Sequence, residues 1–277
     1  FYLARSLEAL AKDPQASAED RTSRFTSAAE SYGKAARLYE KLSRAGEEKE
    51  RTKSRDLRVL SLGAQGEAFY QAQRYSEAAR ALDVVLAEAP SLADSPHYHR
   101  AVYVLGLSRY ALARKLPETE KSPEEGPGRF KSAREALAAA AAQRFESEAL
   151  WEEAAFLLGR LAHQDKSLPE AIEAYGRVAA KRDGRGAAKS DDRVAAKSGG
   201  RVAEAAYYRA LALYETRDEG SLRQARKEFA SFLEKEPRHP LSPSARFHEA
   251  LCAFELEDHA GAEALFAAAA REDPSLA

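Results

Sequence analysis

The side chains of this 277-residue chain best suited to chemistry are six histidines, one cysteine and 44 carboxylates, and their spacing argues against most reactions. His97 and His99 stand two apart beside Pro96. That spacing puts them on different sides of a helix, and no cysteine or carboxylate cluster accompanies them, so no metal site is expected. His239, His248 and His259 are scattered through the last repeat-like stretch and His163 takes an aromatic position; each reads as a surface or packing residue. Adjacent acids, Glu152-Glu153 and Glu124-Glu125, fall on a charged helix face and in a Pro/Gly-rich stretch, where solvation accounts for them better than acid–base work. Gly126-Pro127-Gly128 is a turn signal, not a phosphate-cradling loop. A lone Cys252 excludes an internal disulfide and a thiolate cluster, and its place in a helical pattern predicts a packed, inert thiol. The expectation is therefore no catalytic residue, no metal and no cofactor.

What remains is the chemistry of contact. An aromatic or histidine pair recurs seven residues apart in four segments: Tyr103 and Tyr110, Phe156 and His163, Tyr207 and Tyr214, Phe247 and Phe254. Seven residues is nearly two helical turns, so each pair shares one helix face. If these helices lie innermost in a stack of hairpins, the rings line a concave surface able to hold an extended or helical peptide. Tyr103, Tyr110, Phe156, Tyr207, Tyr214, Phe247 and Phe254 are then the candidate groove, with Tyr208 and Arg160 on or beside it. Packing between neighbouring repeats requires the same spacing, and the sequence leaves the two open.

The elements that must position these rings repeat five times between Val59 and Ala277. In the last copy Ala245, Phe247, Ala250, Phe254, Ala262, Phe266, Ala269 and Pro274 occupy a 34-residue period from Pro243 without insertion or deletion. Small residues at two of these positions let antiparallel helices approach, and larger ones fill the space beside them. Earlier copies carry Leu62, Gly66, Phe69, Ala78 and Leu82; Ala101, Gly106, Ala133 and Leu137; Ala154, Gly159, Ala171 and Tyr175; and Ala205, Ala210, Ala225 and Phe229. Ser167-Leu-Pro-Glu170 predicts a capping box, and Ser221 with Gln224 a second one. Pro96 and Pro243, each preceded by serine, predict first helical positions.

This is tetratricopeptide spacing, and the resemblance implies an all-α, right-handed superhelix of antiparallel hairpins, an α-solenoid that binds proteins and catalyses nothing. From Arg100 onward the pattern of alanine, aromatic, then glycine or alanine resembles the repeats of bacterial envelope proteins: the Tol-Pal-associated periplasmic repeat protein and the outer-membrane assembly lipoproteins. Phe229-ASFLEKEPRHPLSPSARFHEAL, with its Pro-x-x-Pro connector, carries most of the likeness. It implies a scaffold in a membrane-associated complex, periplasmic or bound at the outer membrane. The alternative is a sensor extension of a larger cytoplasmic enzyme or kinase.

Composition agrees with a binding module. A formal charge of −1 with 31% charged residues lacks the sustained basic surface that nucleic acid requires. No apolar run reaches the length of a membrane span. The expected partner is a protein or peptide. Residues 1–58 fit the period poorly and are expected to form an N-terminal helical cap or divergent repeat, with helices over Phe1–Lys12 and Arg21–Leu42 joined by a polar connector. Residues 59–277 form the array, with inserts near 113–128 and 181–200. The second insert is an octad duplication, Arg177-VAAKRDG, Arg185-GAAKSDD and Arg193-VAAKSGG, expected to be a solvated loop or helix extension. The chain starts at Phe1 and lacks methionine, which gives the expectation of a processed or truncated segment.

Overall fold

In a computed structural model, residues 1–88, 92–95, 97–115, 130–142, 148–180 and 195–272 are described. Among them are twelve helices: α1 (Tyr2–Ala11), α2 (Ala18–Leu42), α3 (Glu48–Gln71), α4 (Tyr75–Ala87), α5 (Tyr98–Lys115), α6 (Lys131–Ala141), α7 (Glu148–Gln164), α8 (Leu168–Ala179), α9 (Ala195–Glu215), α10 (Glu219–Lys235), α11 (Ser242–Glu255) and α12 (His259–Glu272). The five expected hairpins are α3–α4, α5–α6, α7–α8, α9–α10 and α11–α12. No strand occurs among the described residues, and consecutive helices pack on one another, as an α-solenoid of hairpins requires. The chain divides into two compact units, Phe1–Ala154 and Ala155–Ala277, with the division inside α7.

Within the first unit, α1 and α2 pack on α3 and on the start of α4 through Ala4, Ala11, Phe25, Ala28, Tyr32, Phe69 and Ala78. The Tyr32 hydroxyl donates to Glu8 at 2.9 Å, tying α2 to α1. The α3 helix begins at Glu48, ahead of the first periodic residue, Val59, so the expected boundary at residues 58 and 59 falls inside a continuous helix. The intervening turns are charged and mostly exposed. Ion pairs join helices distant in sequence: Arg58 is bidentate on Glu88 at 2.6 and 3.1 Å, and Arg109 reaches Asp83 at 2.8 Å.

The second unit is built around Tyr207, Leu213, Tyr214, Leu222, Phe229, Phe232 and Cys252. Burial pushes the Cys252 thiol up to about 12, which leaves it protonated and inert at neutral pH.

Close approach within hairpins is set by glycine, as the period predicts. A Cβ on Gly66 would lie 2.3 Å from Leu82, one on Gly106 would lie 2.6 Å from Leu137, and one on Gly159 would lie 2.7 Å from the Tyr175 ring. The same contact recurs in three hairpins, which is the geometric meaning of the repeat.

Helix ends depart from expectation. Helix α10 is capped by Asp218, whose carboxylate accepts from the Ser221 backbone N–H at 2.9 Å; Ser221 donates instead of capping, and Gln224 turns to Glu228. Acidic Asp218 at the N-cap was open to the chain once the helix started three residues earlier, where its charge also meets the positive end of the helix dipole. Ser167 does precede α8, but its hydroxyl goes to Glu170 at 3.3 Å instead of a backbone N–H. Helix α11 begins at Ser242, so Pro243 takes the second helical position, and Ser242 donates back to the Glu236 carbonyl at 2.6 Å. Helix α2 starts inside the expected connector because Ser17 accepts from Asp20 N–H. Pro96, most of the 113–128 insert and octad residues 181–194 lie outside the described residues. From Ala195 the third octad is already the first part of α9, a helix extension.

The four hairpin turns among the described residues share one conformation. Gln73, Lys166, Arg217 and Glu257 each adopt a left-handed backbone, with φ between 58° and 63°. The N–H of the following residue bonds back to the carbonyl five before it in three of these turns: Arg74 to Phe69, Ser167 to Ala162 and Asp258 to Ala253. This is the Schellman closure, made here without glycine.

Candidate functional site

The seven candidate groove residues divide by exposure. Phe156, Tyr207 and Tyr214 are 2%, 5% and 7% exposed, and their surfaces are occupied by neighbouring helices. The Phe156 ring lies 5.7 Å from Tyr175 and 6.0 Å from Tyr208, with the Arg201 guanidinium over it at 4.7 Å. Tyr207 packs edge-on against Phe229 at 5.8 Å. Tyr214 donates its hydroxyl to Glu255 at 2.9 Å, while Arg217 covers the ring at 4.2 Å and pairs with the same Glu255. Tyr103, Tyr110 and Phe247 are half-buried; Tyr110 rests 5.5 Å from Phe130, and Phe247 lies 5.5 Å from Phe266. Phe254 is 55% exposed, beside His259. The structure therefore brings Tyr207 and Tyr214 into one core and leaves Phe254 on the surface.

His248 sits in the same core, stacked on Phe229 at 5.6 Å and edge-on to Tyr207 and Tyr214. Its Nδ1 is 2.7 Å from the Ser244 carbonyl oxygen, which requires an N–H there. Burial pulls its pKa below the ordinary 6.5, although the Ser244 bond and the charge of Glu215 act in the opposite direction. The unfolded chain thus binds the proton first as pH falls, and stability present above about pH 6.5 is lost below it, by at most about 1.4 kcal/mol per pH unit. Urea unfolding at pH 7.5 and 5.5 should show a loss of stability in acid in the wild type that is smaller in His248→Phe.

One open feature of the second unit is a cavity of about 370 Å³ lined by Arg160, His163, Gln164 and Lys166 from the end of α7 and its turn, Tyr175 from α8, and Tyr208 and Glu215 from α9. Alpha-helical geometry explains the convergence: Arg160, His163 and Gln164 are three and four residues apart, so one stripe of α7 faces one stripe of α9. Tyr208 stacks on Tyr175 at 5.8 Å and 23°, and His163 meets the edge of the same ring at 6.3 Å. Glu215 accepts from His163 Nε2 and Lys166 Nζ, both at 3.0 Å. Burial raises the Glu215 carboxyl, but these two donors outweigh it and hold the group below its ordinary range. Tyr175 is 1% exposed, and burial drives its hydroxyl pKa far up, so it stays a neutral donor. Sequence reasoning placed Arg160 and Tyr208 on or beside such a surface and read His163 as a surface or packing residue. It missed Tyr175, Lys166, Gln164 and Glu215, because Tyr175 occupies a position that the period assigns to packing, and the others depend on how successive hairpins meet.

Chemically, the cavity offers guanidinium, ammonium and phenol donors over a ring platform. Among the described residues, no three histidine, cysteine or acidic side chains come together to hold a metal ion, and no helix is long and apolar enough to cross a membrane. The tetratricopeptide repeat family model matches residues 127–188 and 217–277. Both segments resemble tetratricopeptide repeats. Each match has the same phase, opening at or just before the second helix of one hairpin and continuing through the next hairpin. The glycine contacts of α3–α4 and α5–α6 repeat the same helix-on-helix packing toward the N-terminus. No curated protein matches the chain. Tetratricopeptide repeats mediate protein–protein interaction by presenting helix faces that adjacent hairpins make together.

Proposed function

We propose that the chain is a non-enzymatic scaffold that holds a partner protein or peptide against its first helices, within a bacterial cell-envelope complex. One observation carries the binding reading: α7 and α9, first helices of successive hairpins, together line the Tyr175–Tyr208 cavity. A cavity of this size, with a few convergent polar groups over rings, suits a side chain presented by a partner. The envelope reading is supported by the Phe229–Leu251 segment, whose Pro-x-x-Pro connector joins α10 to α11 in the manner of the envelope repeats.

The test is site-specific photocross-linking in the native cell, with the photoreactive residue at Gln164 on the cavity rim or at Lys227 on an exposed side of α10. A discrete adduct from Gln164 alone, recovered with the envelope fraction, is expected. Equal adducts from both positions would end the cavity reading. A discrete Gln164 adduct recovered only with cytoplasmic proteins would end the envelope reading and favour the sensor alternative.

A further inference from the structure

We infer that the cavity between α7, α8 and α9 is an anion subsite that takes the carboxylate side chain of an aspartate or glutamate in a partner's extended segment. The inference rests on the reading above that this face binds protein, and it specifies the chemistry of the residue bound there.

Charge bookkeeping within the site comes first. Glu215 is matched by Lys166 and His163, each at 3.0 Å, whereas Arg160, exposed at the cavity mouth, has no carboxylate partner among the described residues. The lining therefore has one uncompensated positive charge. Hydrogen-bonding capacity points the same way. Tyr175 is almost wholly buried, lines the cavity and has no hydrogen-bond partner among the described residues; Tyr208, stacked upon it, has none either. A phenol on the wall of the cavity can donate its O–H to a ligand that enters there. Two neutral O–H donors and one guanidinium form an acceptor-seeking set, and a carboxylate satisfies it with two oxygens.

The count of charges selects the kind of anion. A monoanion neutralises Arg160, whereas a phosphate near two negative charges leaves an uncompensated charge in a half-enclosed site, beside the existing Glu215 carboxylate. The exposed edge of Tyr208 adds apolar contact for the residue next to the acid, so an acidic residue flanked by an aromatic one fits best.

The experiment uses the full chain and the capped peptide Ac-Ala-Phe-Glu-Phe-Ala-NH2, whose side-chain carboxylate is its one charge. The Gln analogue, and that analogue with a free C-terminal carboxylate, complete the set. Affinities are read by NMR titration of wild type and Arg160→Gln, a variant that leaves the buried rings and the Glu215 pairs in place. The Glu peptide is expected to bind at least ten-fold tighter than the capped Gln peptide, and Arg160→Gln to erase that difference. Equal binding of the two capped peptides, or a preference that survives in Arg160→Gln, overturns the inference while leaving a protein-binding face intact. Tightest binding by the free-terminus analogue overturns it in favour of a chain-end reader. Binding of none of the three overturns it as well; the Gln164 cross-link then decides whether the broader reading survives.

Discussion

Replacing Tyr207 and Tyr214 together by alanine should lower stability of the second unit by about 5 kcal/mol or more, on the basis of roughly 3–5 kcal/mol for each deeply buried ring removed. Both rings are nearly inaccessible, and both touch His248, which stacks on Phe229. The two deletions open adjoining voids around one imidazole, so their effects are coupled and the sum of the single variants is not a safe guide to the pair. Tyr214 carries a further contribution, because its hydroxyl and Arg217 both engage Glu255 and thereby hold the end of α9 to the end of α11. Tyr214→Phe keeps the ring and loses that bond, for about 1 kcal/mol. Circular dichroism melting checks the prediction: the double variant should melt well over 10 °C lower, on the usual few degrees per kcal/mol for domains of this size. An unchanged melting curve would show that these rings are dispensable to packing and would return them to the list of ligand contacts.

That result bears on how much of the molecule can be read from its sequence. Hairpin number and phase were legible because a 34-residue period repeats small residues where helices cross, and Gly66, Gly106 and Gly159 indeed lie against Leu82, Leu137 and Tyr175. Exposure of the aromatic ladder was not legible. Tyr207 and Phe254 obey one spacing rule, yet one is in the core and the other is 55% exposed, since exposure depends on what the adjoining helix brings to the contact. Helix starts were readable only to a few residues, because Asp218 and Ser221 compete for one cap and the chain chose the acid. The cavity was half legible. Arg160 and Tyr208 stand on or beside the face that the ladder marks, whereas Tyr175 is indistinguishable in the sequence from any packing aromatic.

Gly159 joins fold and site, and its substitution should have the second large effect. A Cβ there would lie 2.7 Å from both Cδ1 and Cε1 of Tyr175, a ring already held by Phe156, Tyr208 and His163. The ring can yield only toward the cavity, so the variant must separate α7 from α8 or push Tyr175 off its platform. Overpacking of this kind costs typically 1–3 kcal/mol, and leaving glycine in a helix returns only about 1 kcal/mol for alanine and less for a β-branched residue. Gly159→Val should therefore lose about 2–3 kcal/mol in urea unfolding and should also weaken capture of the Glu peptide, since Tyr175 lines the cavity. Gly63 supplies the control: a Cβ on this residue of α3 meets Ala101 Cβ at 3.5 Å, an ordinary contact. Gly63→Ala should stabilise by about 0.5–1 kcal/mol through helix propensity alone. If Gly159→Val and Gly63→Ala instead shifted stability alike, the close approach of α7 and α8 at Tyr175 would not be what sets the geometry of the hairpin, and the cavity could not depend on it.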